Sequence, residues 1–220
     1  MNLLEDGIIL VDKPAGWTSF DVVAKIRGMR KAALKESGIS PTKRQLKVGH
    51  AGTLDPFATG LLIILLGETT KRSDEFLKQD KVYEATITLG KISTTGDPEG
   101  DITEVNAHPP TVDEVTAALA KFVGEITQTP PVYSAIKING QRAYKLAHQG
   151  IAVEMPSRQV TIHSLKVVDY AYPFLKIRTH VSSGTYIRTL AEDLGKHLGT
   201  GAYCTQLRRV TISQWSVSEA

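Results

Sequence analysis

Asp55 has the most chemically suggestive setting in the chain: Thr53-Leu54-Asp55-Pro56, inside the run VGHAGTLDPFATG at residues 48–60. Pro56 confines the aspartate to an extended or turn-like backbone, and Gly52 lets a ligand approach the main chain closely. A carboxylate held in such a turn can act as a nucleophile if it stays ionised, which a neighbouring guanidinium promotes through a charge-assisted fork. Arg188 is the candidate guanidinium, although helix geometry alone reads it as a solvated basic residue. An isolated TLDP likewise reads as a turn aspartate bonded to its own backbone. Tyr83 and Tyr186 each join a flat apolar ring to a polar hydroxyl, which suits a nucleobase and its sugar and suits ordinary packing as well. Tyr186 lies two residues before Arg188 and close to Gly184, a position that fits the rim of a pocket.

Other chemistries lack their signatures. The sequence has no GxxxxGKS/T phosphate loop, no HExxH, no GxSxG and no cysteine pair fit for structural zinc. His50 and Asp55 would need a third ligand that nothing nearby supplies, so no metal site is expected. Cys204 is the only cysteine; it allows no intrachain disulfide, fits a reducing compartment and reads as a small buried side chain.

The elements that must position these residues are legible from periodicity. Ile8–Val11 is a short strand ending at Asp12-Lys13-Pro14. Thr18 and Asp21 have capping-box spacing and open a helix over about 19–30, after which Lys31–Lys47 is polar, basic and expected to be exposed. Leu61–Leu66 is a buried apolar segment. KVYEATITL at 81–89 alternates as a strand, with Tyr83 on the face of Ala85 and Ile87. Ser93–Asp101 reads as a long exposed loop. Thr111 and Glu114 cap a helix over 112–122, and a short helix over 142–148 precedes Gly150. Strands over 160–168 and 174–181 flank Tyr172-Pro173, and a helix over about 187–198 has Arg188 and Glu192 off its apolar stripe. Two last strands cover 201–207 and 210–212. The fold class is therefore α+β, a mixed or antiparallel sheet flanked by a few helices, without βαβ alternation or repeats.

With 220 residues, 41% hydrophobic and 22% charged, the chain is an ordinary globular protein. Its net charge of +3 permits an anionic partner without demanding one. Local clusters matter more: Lys25, Arg27, Arg30, Lys31 and Lys35, then Lys43, Arg44 and Lys47, and finally Arg208 with Arg209. Either a nucleic-acid surface or a solvated helix face produces such runs. The start lacks the basic and apolar regions of a signal peptide, and the longest apolar run is too short to span a membrane, so a cytoplasmic protein is expected.

Beyond single residues, the chain resembles the bacterial tRNA pseudouridine synthases that modify the T-loop uridine, the TruB family. The resemblance begins with GIILVDKPAGWTSFDVV at 7–23 and is most specific in KVGHAGTLDPFATGLL at 47–62. It continues through KVYEATITLG at 81–90, PPVYSAIKINGQRAYKLAHQG at 130–150, VSSGTYIRTLAEDLG at 181–195 and GAYCTQLRR at 201–209. It implies a pseudouridine synthase fold whose sheet is flanked by helices and RNA-binding loops. It also implies that Asp55 is the catalytic aspartate, Tyr83 the active-site aromatic and Arg188 the arginine paired with the aspartate. Tyr186 and Leu207 would line the uridine pocket, and His50 would fill the T-loop space left by the extruded base. Lys13 and Pro14 match the signature near the start, with a structural role for Pro14.

The implied reaction breaks the N1–C1′ bond of a flipped-out uridine, turns the uracil and joins C5 to C1′, with no cofactor because the product is an isomer of the substrate. Attack at C1′, an adduct through C6 and a glycal route all remain open. The expected partner is the tRNA T stem-loop, met by a monomer without an obligate protein partner or a membrane. The family's small C-terminal RNA-binding domain is expected to be absent from these 220 residues, leaving the catalytic domain. Guide-RNA-dependent modification and a non-catalytic RNA-folding role are the alternatives.

Overall fold

The computed structural model describes residues 2–220, except the side chain of His148. In chain order the elements are β1 (Gly7–Lys13), α1 (Ser19–Glu36), β2 (Val48–His50), β3 (Thr59–Leu66), α2 (Ser73–Leu77), β4 (Lys81–Leu89), β5 (Lys91–Ser93) and β6 (Ile102–Glu104). There follow α3 (Val112–Ala120), β7 (Gly124–Gln128), β8 (Lys137–Ile138), β9 (Gln141–Arg142), α4 (Ala143–His148), β10 (Arg158–Ala171), β11 (Phe174–Val181), α5 (Ile187–Leu198), β12 (Ala202–Ile212) and β13 (Trp215–Ser216). The mixed and antiparallel strands with flanking helices are the α+β class expected. The chain divides into two units, one holding the residues up to Lys81 with Arg208–Ala220 and the other Val82–Leu207. Among the described residues no helix is long and apolar enough to cross a membrane.

In the first unit β3 is the central element. It pairs antiparallel with β1 from Gly7↔Leu66 to Lys13↔Gly60 and with β2 from Val48↔Leu66 to His50↔Ile64, and it runs parallel to the end of β12 at Arg208↔Thr59. Leu62, Ile64 and Leu66 pack with Val22, Val23 and Ile26 of α1, while Leu61, Ile63 and Leu65 pack with Ala51, Phe76 and Ile212. Both faces are dry, which is why the segment reads as an unbroken apolar run and not as alternation. Each of these side chains except Ala51 contributes roughly 1.5–3 kcal/mol by leaving water. Gly60 allows the parallel pairing, since a Cβ there would lie 2.3 Å from the Arg209 carbonyl oxygen.

The Thr18/Asp21 capping box is present, but α1 runs six residues further than expected, to Glu36. Leu34, fully buried, lies four residues beyond Arg30 and eight beyond Ile26, so the inward stripe continues where the sequence looked merely basic. Arg30 is on that stripe too: its guanidinium donates to the Gln45 and Glu5 carbonyls, both at 2.6 Å, and to Asp6 at 2.7 Å. It therefore leaves the surface cluster in which it was counted.

Lys81, the first residue of β4, is buried with its ammonium donating to the carbonyls of Leu77 and Gln79. Burial, then the charge of Arg209, pushes its pKa down from 10.5 to about 8. Between those values the unfolded chain holds a proton that the folded chain has lost, so stability rises with pH across that window. Urea melts should show the wild type gaining up to ~3 kcal/mol relative to Lys81→Met between pH 8 and 10.5, the interval set by the shift. Parallel stability curves for the two proteins would refute a buried charge.

In the second unit β10 pairs antiparallel with β11 (Ile162↔Val181 to Ala171↔Phe174) and with β7 (Arg158↔Gln128 to Ile162↔Gly124). The hydrogen-bonded order continues from β11 to β4 and to the first half of β12. Helix α3, capped by Thr111 and Glu114 as expected, ends at Ala120 and packs on α5 and β10. The stretch 129–138 contributes β8 to a small hairpin with β9. The two strands expected at the end of the chain are one, β12, because the arginines between them are accommodated within the strand.

Candidate active site

The loop between β2 and β3 carries Asp55, half-buried, and is fixed at nearly every second residue. Ala51 N–H donates to the Ile63 carbonyl at 2.9 Å, and the Gly52 carbonyl accepts from the Arg209 guanidinium at 3.1 Å. The Ser19 hydroxyl grips Leu54 both ways, accepting from its N–H at 2.9 Å and donating to its carbonyl at 3.2 Å. The Pro56 carbonyl accepts from Gly16 N–H at 2.8 Å and from the Lys13 ammonium at 3.3 Å. Asp55 is thus presented by a backbone held on both sides of it, the preorganisation a reacting group needs.

Three of these holding side chains were not assigned this work from sequence. Ser19 looked like the first residue of a helix. Lys13 matched a signature without a role; it is fully buried and also donates to the carbonyls of Pro14 (2.9 Å) and Trp17 (2.6 Å). Arg209, only 1% exposed, bonds the carbonyls of Leu61 (2.7 Å) and Gly52 instead of facing solvent. Its signal was parity: Arg209 is two residues from Leu207 on β12, so it shares that buried face. Arg208 forms a bidentate pair with Asp12 at 2.7 and 3.0 Å. His50 closes β2, half-buried, with its ring edge-to-face against Phe20 at 5.7 Å.

Tyr83, Tyr186, Arg188 and Leu207 belong to the second unit. Tyr83 is 8% exposed on β4, on the face of Ala85 and Ile87 as its parity indicated, and Leu207 is 8% exposed on β12. Tyr186 precedes α5 and its backbone is gripped by the buried Gln128 carboxamide, which accepts from Tyr186 N–H at 2.8 Å and donates to its carbonyl at 3.0 Å. The Arg158 guanidinium lies 5.0 Å from the Tyr186 ring centroid, a cation–π contact, and donates to the Gly184 carbonyl.

Arg188 is not solvated: it is 3% exposed, in the first turn of α5. A cation there opposes the helix dipole. It is accommodated by hydrogen bonds to the Thr95 carbonyl (2.9 Å), the Asp97 carboxylate (2.8 Å) and the Tyr133 carbonyl (2.7 Å). Asp97, missed by the sequence reading, also accepts from the Thr95 hydroxyl at 2.6 Å and the Glu99 N–H at 3.0 Å. The loop expected to be wholly exposed therefore turns Gly96 and Asp97 inward, because a buried guanidinium needs an anion. Gly96 is pressed against the same helix, with φ +72° and space for a Cβ only 2.5 Å from the Glu192 carboxylate. Burial, foremost among its causes, pushes the Glu192 pKa up.

Comparisons with known proteins concur on the lineage of these residues. A family model described as TruB family pseudouridylate synthase (N terminal domain) matches residues 40–187. The tRNA pseudouridine synthase B of Burkholderia mallei (strain NCTC 10247) is 44% identical over 215 residues, 98% of this chain and 67% of its own length. That of Actinobacillus pleuropneumoniae serotype 5b (strain L20) is 43% identical over 211 residues, 96% of this chain and 65% of its own. Among solved structures, a Cbf5-Nop10-Gar1 complex aligns with a TM-score of 0.67 at 28% identity, covering 96% of this chain and 49% of that one. The chain spans about two thirds of the length of the curated relatives it matches.

Proposed function

The chain belongs to the TruB family of pseudouridylate synthases, and from that premise we propose that it isomerises the T-loop uridine of tRNA to pseudouridine, with Asp55 as the catalytic carboxylate. The reading rests above all on the loop that presents Asp55: a TLDP turn whose backbone is clamped on both sides, in a chain 44% identical to a tRNA pseudouridine synthase B over 98% of its length.

The uridine is drawn out of its loop so that its glycosidic carbon can be reached. The N1–C1′ bond breaks, the uracil turns, C5 bonds to C1′, C5 loses its proton and N1 gains one. Atoms and electrons balance within the nucleotide, so nothing is consumed. Tyr83, Tyr186, Arg188 and Leu207 are assigned to holding the uridine, and His50 to the loop space the base vacates. The exposed lysines and arginines of α1 attract phosphates without reading sequence. We assign a monomer in the cytoplasm that needs no guide RNA, the single cysteine favouring a reducing compartment.

Incubating the purified chain alone with unmodified tRNA, then mapping pseudouridine by mass spectrometry, tests this directly. Product at the T-loop uridine is expected. Product only elsewhere would reject the substrate, and none at all would reject the activity of this chain.

A further inference from the structure

Phe20 is the most exposed large hydrophobic residue described, with 65% of its surface open, and it stands apart from the apolar stripe by which α1 joins the core. Its ring is perpendicular to that of His50, at an interplanar angle of 86°. In a T-shaped pair at least one face of the phenyl ring stays uncovered. Ser19, the residue before it, is joined both ways to Leu54, the residue before Asp55. Phe20 and Asp55 thus each lie one residue from the same hydrogen-bonded joint, and the open ring is fixed beside the loop that carries the carboxylate.

The rest of this helix face says what could cover the ring. At 100° per residue, Arg27 and Lys31 fall within about 20° of Phe20, some 10 and 16 Å further along the axis. Both are exposed, although Arg27 also donates to the Val48 carbonyl at 3.1 Å, and Ala24, about 40° from Phe20 on this face, is too small to obstruct the path. An aromatic ring followed by a row of cations separated by small residues matches a nucleic-acid strand, with a base on the ring and phosphates along the cations. An apolar protein segment would gain nothing from that row.

We infer that Phe20 is a base-stacking residue: an unstacked nucleobase of the substrate RNA, other than the reacting uridine, lies on its open face while the strand's phosphates follow Arg27 and Lys31. This rests on the reading of RNA as substrate, so the test separates the two. Tritium-free tRNA transcript is titrated against the full chain and against Phe20→Ala, Phe20→Leu and Phe20→Trp, measuring Kd by filter binding and KM and kcat by pseudouridine mapping. Circular dichroism melts verify that each variant folds.

Phe20→Ala and Phe20→Leu should weaken Kd and raise KM about tenfold or more, whereas Phe20→Trp, which keeps a π-face, should stay within about threefold of wild type. Alanine and leucine variants indistinguishable from wild type overturn the inference and leave the catalytic reading standing. Leucine restoring affinity as well as tryptophan overturns stacking in favour of simple apolar contact. Wild type that binds RNA without turnover sinks the catalytic reading, while the Kd series still judges Phe20. Wild type that binds no RNA sinks both.

Discussion

Asparagine at position 55 is expected to leave the chain folded and able to bind tRNA while removing more than about a thousandfold of its pseudouridine formation, or ~4 kcal/mol of transition-state stabilisation. The substitution is nearly isosteric and removes the negative charge that a nucleophile requires. Ser19, Lys13, Gly16 and Arg209 bond main-chain atoms of residues 52, 54 and 56, and the substitution leaves each of those bonds in place. Asp55→Glu keeps the charge but displaces it by one methylene, and a shift of about 1 Å costs on the order of a hundredfold. Single-turnover assays beside filter binding would rank the three proteins. Turnover by Asp55→Asn within tenfold of wild type would remove Asp55 from the chemistry.

The second large effect is expected at Asp97. Asp97→Ala removes a buried carboxylate from the Arg188 guanidinium, which is 3% exposed, and also deprives the Thr95 hydroxyl and Glu99 N–H of their acceptor. Breaking a buried pair from one side costs about 3–5 kcal/mol, much more than a surface pair is worth, because the remaining charge keeps its desolvation penalty. For a chain of this size that corresponds to a fall in Tm of roughly 10 °C. Arg188→Met combined with Asp97→Ala should recover part of the loss, since the buried guanidinium is then gone, and pseudouridine formation is not expected to return with it. Thermal melts of the two single variants and the double variant measure the coupling directly. A loss below ~1 kcal/mol for Asp97→Ala would mean that the pair is not desolvated as described.

Where local pattern and tertiary role agreed, the sequence was readable. The capping boxes at Thr18 and Thr111, the apolar run of β3 and the alternation of β4 each state their structure within a few residues. Where a side chain's place depends on pairing between distant segments, local pattern misleads. STTGDPEG reads as a solvated turn because its partner Arg188 is 91 positions away from Asp97. Arg188 in turn reads as solvent-facing because a charge normally avoids burial. Ser19 is 35 positions from Leu54, so its hydroxyl looked idle. Arg30 and Arg209 show the same limit from the other side, since counting cations by sequence neighbourhood placed both on a surface that neither reaches.

Strand β3 has no wet side, and the Asp55 turn feeds straight into it. Breathing motions that admit water spread from edges and ends, so a two-faced aliphatic rod is among the last parts of a protein to loosen. The acid therefore shares its anchorage with packed neighbours a few positions downstream. Swapping one of those aliphatic residues for a smaller one would loosen the turn that presents Asp55 long before it unravelled the molecule.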